Sequence, residues 1–132
     1  MVDRTSLENL SYAFLRIVSG ALFAFHGAGK LFGFLTTKAG PEAFTQKWFG
    51  GVIELVAGVL IAIGLFSRPA AFLASGTMAV AYFQFHWKLD LGDRVFPIVN
   101  GGELAVIYCF VFLLIAVRGS GALSIDRLRG RS

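Results

Sequence analysis

Seven polar side chains interrupt the otherwise apolar stretches of this chain, and their spacing groups them on helix faces. His26 and Lys30 stand at i, i+4, as do Tyr82 and His86; Asn100 and Glu103 stand at i, i+3. On a helix those intervals put side chains one above the other. Glu54 shares its face with Gly51 and Gly58. Carboxylates in an apolar setting accept and supply protons, which assigns the catalytic role to Glu54 and Glu103. His26, Lys30, Tyr82, His86 and Asn100 have the donors and acceptors to bind a polar ligand. Each also has a structural reading. Lys30 between Glu54 and Glu103 makes an ion-pair network, Asn100 caps or bridges helices, His86 marks a membrane boundary and Tyr82 packs.

Other chemistries find no support. Neither Glu-x-x-His nor His-x-x-x-His occurs, so no spacing motif points to a metal. Cys109 is the only cysteine, which removes C-x-x-C redox chemistry and covalently attached haem. The run G-A-G-K at 27–30 lacks the phosphate-loop spacing, and no flavin or nucleotide fingerprint appears. The net charge of +4 is spread over loops and the C-terminal tail rather than gathered with aromatics. It reads as membrane-flanking charge, not as a nucleic-acid surface.

The elements that must position these groups are membrane helices. Of 132 residues, 56% are hydrophobic and 15% charged, too few polar groups to coat a soluble domain of this size. Mean hydropathy is +0.71. The apolar residues fall in four blocks, about 13–34, 48–66, 69–87 and 98–117, each long enough to cross a hydrocarbon core. The expected fold is therefore all-α, one integral membrane bundle of four transmembrane helices spanning residues 1–132. Asp3 and Glu8 argue against a cleaved signal, so the first block is an anchor. Ser67-Arg68-Pro69 makes a tight turn between the second and third spans. Arg4, Arg68, Arg118, Arg127, Arg129 and Arg131 share one side; Lys38, Lys47, Lys88 and Arg94 share the other. That bias predicts cytoplasmic termini, with Arg16 snorkelling to the same side. Antiparallel folding then brings all seven polar residues to the outer third of the membrane. Small residues on the helix faces (Gly20 and Gly27, Gly51 and Gly58) predict close packing.

Five stretches resemble the DoxX family of small bacterial and archaeal membrane proteins. They are RIVSGALFAFHGAGKLFGF (16–34), WFGGVIELVAGVLIAIGLFSRPAA (48–71), MAVAYFQFH (78–86), NGGELAVIY (100–108) and GSGALSIDR (119–127). The resemblance implies a four-helix protein of the plasma (inner) membrane. It also implies a link to quinone-dependent oxidoreductases, because the family takes its name from a subunit associated with quinone-linked sulfur oxidation.

The function expected is a subunit or accessory protein of a membrane oxidoreductase. A quinone in the outer polar pocket would meet His26 or Lys30 and exchange protons with Glu54 or Glu103, and a redox partner protein would supply electrons. The alternative is non-enzymatic: a small-solute permease, or a scaffold held by a buried charge network.

Overall fold

The computed structural model describes residues 3–33 and 39–131, which contain helices and turns but no strand. The expected end of the first span at Phe34, and Lys38 beyond it, lie outside the described residues. Helix α1 runs Arg4–Phe32 and α2 runs Gln46–Ile63. Helix α3 runs Ser67–Ala81 and continues as a π-helical turn, Tyr82–Trp87. A four-residue helix α4 (Pro97–Asn100) precedes α5 (Glu103–Arg118), and α6 (Ile125–Leu128) lies in the tail.

Helix α1 starts earlier than expected from hydropathy because its first turn is capped by polar groups. The Asp3 carboxylate accepts the Ser6 amide at 2.7 Å, and Arg4 pairs with Glu8 at 2.9 Å. It stops at Gly33, whose φ of 68° is left-handed. The block 98–117 is broken, contrary to expectation. Gly101 adopts φ 75°, and the Asn100 side chain takes the Gly102 amide at 2.8 Å, which ends α4 before α5 begins. Of the helices described, α1 and α2 are each long and apolar enough to cross a membrane alone.

The α1–α2 contact runs backbone to backbone. A Cβ on Gly20 would lie 2.8 Å from the Gly58 carbonyl oxygen, and one on Gly27 would lie 2.6 Å from the Gly51 carbonyl oxygen. The seven-residue interval Gly20–Gly27 thus meets the same interval, Gly51–Gly58, on the antiparallel partner. Helix α3 packs on α5 and α2, and Phe23, Ile61, Phe112 and Ile115 fill the core. Phe14, Val18, Leu22 and Phe25 instead form an exposed apolar stripe along α1, as Ile107, Phe110, Leu114 and Val117 do on α5. Exposed apolar faces of that extent belong against lipid.

Arg16 does not snorkel. It is fully buried, and its guanidinium donates to the carbonyls of Ile61 (3.0 Å), Ala122 (2.9 Å), Leu123 (2.7 Å) and Ser120. The planar fork suits four main-chain acceptors, so the tail supplies what water would otherwise supply. Asp126 holds the same tail to the α2–α3 turn. Its carboxylate accepts the Phe66 amide (3.1 Å), the Ser67 amide (3.3 Å) and the Ser120 hydroxyl (2.6 Å). A residue some sixty positions away thereby caps α3, whose own Phe66 offers no side-chain cap.

Candidate functional site

Near the other end of the bundle the glycine seam sets the chemistry. Gly51 lies one turn before Glu54, and a Cβ there would sit 3.3 Å from the Lys30 Cβ. The lysine stem therefore passes close to α2, and its Nζ donates to Glu54 Oε1 at 2.7 Å. The Glu54 side chain is 5% exposed and that of Lys30 46%. Glu54 Oε2 is buried and has no hydrogen-bond partner among the described residues. Such an oxygen carries an uncompensated desolvation cost and calls for a donor.

Glu54 and Lys30 line a cavity of about 1220 Å³ with walls from α1, α2, α3 with its π turn, and α5. His26 is on its wall, edge-on to Tyr108 with ring centroids 6.2 Å apart. His86 reaches the wall from the π turn. Phe23, Phe49, Phe72, Phe85 and Tyr108 supply aromatic lining. A charged pair in an aromatic chamber is the usual composition of a small-molecule site.

Three of the seven sequence candidates stand elsewhere. Asn100 is buried, its amide donating to the Arg94 carbonyl (2.8 Å) and to the Tyr82 hydroxyl (3.1 Å). Tyr82 in turn lies 3.4 Å from the Val95 carbonyl. These two hold the 88–102 connection in place and are not on the cavity wall. Glu103 is exposed at the first turn of α5, also off the wall, with no ion pair among the described residues. The structure joins His26, Lys30, Glu54 and His86, and among the described residues Lys30 forms its ion pair with Glu54 and not with Glu103.

The chamber does not extend through the bundle. Phe23 packs on Phe112 (centroids 4.7 Å) and Tyr108 (5.4 Å), and Tyr108 stacks on Phe112 at 5.3 Å. Phe23 is seven residues from both Arg16 and Lys30, about 10 Å of helix each way, so this aromatic layer stands between the two polar ends.

Residues 11–87, more than half of the chain, match DoxX. The chain belongs to the DoxX family. This DoxX chain is 43% identical over 117 residues to an uncharacterized protein of Haemophilus influenzae, covering 86% of this chain and 87% of the relative. It is 31% identical over 119 residues to the Escherichia coli inner membrane protein YphA, covering 85% of each. To the E. coli inner membrane protein YqjF it is 30% identical over 131 residues, covering 92% of this chain and 94% of that one. No solved structure matches. The exposed apolar faces and the inner-membrane relatives agree: this is a membrane protein of the DoxX family.

Asp126 and Ser120 are not among the sequence candidates, because they lie in a tail whose charge reads only as membrane-flanking. The only signal is the run GSGALSIDR, and nothing in its local spacing shows that the tail folds back onto the α2–α3 turn.

Proposed function

We propose that this DoxX protein crosses the inner membrane four times with cytoplasmic termini and binds a quinone-type molecule in the Lys30–Glu54 chamber. It would serve as a subunit or accessory of a membrane oxidoreductase. The observation that carries the reading is the buried, unpartnered Glu54 Oε2 beside a lysine in an aromatic cavity. The chamber offers complementary groups for such a ring. Lys30 keeps ammonium protons to donate to a carbonyl oxygen, and Glu54 has a lone pair to accept a hydroxyl proton. A quinone, when bound, supplies two-electron, two-proton exchange with a partner protein. Glu54 would hold or release a proton at Oε2, His26 and His86 would relay protons along the wall, and the phenylalanines would exclude water. The arginine bias supports the orientation, and an externally active reporter fused after residue 131 would overturn it.

One observation favours the scaffold reading instead: the Lys30–Glu54 pair continues the glycine seam and ties α1 to α2 without any ligand. Melting in detergent separates the two. A short-chain hydroquinone at about 100 times its Kd should stabilise the wild type by about 2.7 kcal/mol, because it binds only the folded state. Glu54→Gln and His26→Ala should fold and lose that shift. If the wild type shows no shift at saturation, the quinone reading is lost and the scaffold stands. The permease reading gains nothing from the aromatic layer between the polar ends.

A further inference from the structure

The chamber does not end at its polar wall; it runs on as an apolar groove between α2 and α3. Phe49, Gly50 and Ile53 line it from α2, and Phe72, Leu73, Gly76 and Val80 from α3. The intervals of three and four make each set one face of its helix. Beyond the inner end of the groove, α2 hands over to α3 through the Gly64–Phe66 turn. Its outer end is crossed by the Gln46 amide, which donates to Gln84 Oε1, and by Lys47, 5.1 Å over the Phe85 ring. The exposed side chains along it, Phe72 at 71% and Val80 at 46%, open it sideways, toward lipid.

Two glycines in this groove differ from those of the α1–α2 seam. A Cβ on Gly50 or Gly76 would meet nothing within 4 Å, whereas one on Gly20, Gly27 or Gly58 would strike backbone. Glycine weakens a helix interior, and neither position needs it for helix packing. Both keep space free in a groove continuous with a buried carboxylate that has an unpartnered oxygen. We infer that the α2–α3 groove holds the long hydrocarbon tail of the chamber's ligand, which enters sideways from the bilayer while its polar head reaches Lys30 and Glu54. The occupant is thus a membrane-dissolved amphiphile with an unbranched or isoprenoid tail, not a water-borne solute. The inference rests on the pocket reading above, and Gly50 and Gly76 are its specificity-determining positions.

Leucine at either glycine fills the groove from opposite walls without touching the seam. The full chain in detergent is titrated with two probes sharing one hydroquinone ring, the first without a tail and the second with a ten-carbon tail. Gly76→Leu and Gly50→Leu should each melt no lower than wild type. Each should weaken the tailed probe by about tenfold or more and leave the tail-less probe within about twofold. If both variants bind both probes as the wild type does, the groove holds only ordinary lipid and the inference is overturned. Equal weakening of both probes overturns it as well, since the substitutions would then act on the head chamber. A wild type that binds neither probe removes the pocket reading, and the inference with it. A wild type that binds the tail-less ring but gains nothing from the tail overturns the groove alone and leaves the pocket standing.

Discussion

Lys30 and Glu54 form one ion pair across the α1–α2 seam, yet its two partners stand in different surroundings. The lysine side chain keeps about half of its exposure, 46%, while the glutamate keeps 5% and leaves one oxygen unpartnered. The carboxylate therefore depends on the lysine far more than the lysine depends on it.

Lys30→Met should consequently destabilise the protein by about 3 kcal/mol, the lower end of the range for breaking a buried pair, because the lysine itself is only half-buried. Melting in detergent checks this against Val59→Ala, an exposed apolar change. Adding Glu54→Leu to Lys30→Met should restore most of the loss. A lone Lys30→Met as mild as Val59→Ala would show that the pair holds nothing.

The glycine seam predicts an asymmetry among glycine variants. A side chain at Gly58 would collide with the Ala24 amide and lie 2.7 Å from the Gly20 carbonyl oxygen, so the two helices would have to separate. Gly58→Leu should cost about 3 kcal/mol or more, the upper range for overpacking. At Gly50, where space is open, leucine should be neutral or stabilise by up to about 1 kcal/mol through helix propensity. Equal melting temperatures for the two variants would contradict the seam.

Arg16 should prove irreplaceable by lysine. Four main-chain carbonyls converge on its guanidinium, and an ammonium cannot span them. Arg16→Lys and Arg16→Met should both release the tail, making it cleavable by limited proteolysis between 119 and 131 under conditions that leave the wild type intact. A tail equally protected in Arg16→Lys would mean that charge alone, not the fork, retains it.

Asp126 gives the bundle a pH limit on the side of the termini. Burial works against its charge, but the Ser120 hydroxyl, the Phe66 and Ser67 amides and nearby Arg129 outweigh it and hold the carboxyl below its ordinary value. A depressed carboxylate contributes stability that is fully present above the unfolded value, near 4, and lost as pH falls through the folded one. The melting temperature should fall on acidification below about pH 4, and Asp126→Asn should flatten that fall while lowering stability at neutral pH by about 1–3 kcal/mol. An unchanged acid limb in Asp126→Asn would assign the limb to other carboxylates.

The helical class and the glycine faces were legible in the sequence because each rests on local regularities, whereas the early start of α1 and the break at Gly101 were not. Apolar run length reports the solvent a helix needs, and a seven-residue glycine interval reports where a backbone can approach. The polar residues were legible as a set, since charge in an apolar block always stands out. Their partners were not. Whether Lys30 meets Glu54 or Glu103 depends on the rotation of α5 about its axis, which the Gly101–Gly102 break resets; only the folded chain turns Glu103 outward and Glu54 inward. Arg16 near a span end reads as snorkelling by the usual rule, yet a tail returning over a hundred residues later supplies three of its four carbonyls and makes burial cheaper than exposure. Composition and periodicity by themselves determined that this chain lives in lipid as helices. Which charged groups are buried together was decided by tertiary structure alone, because the cost of burying a charge depends on acceptors brought from distant parts of the chain.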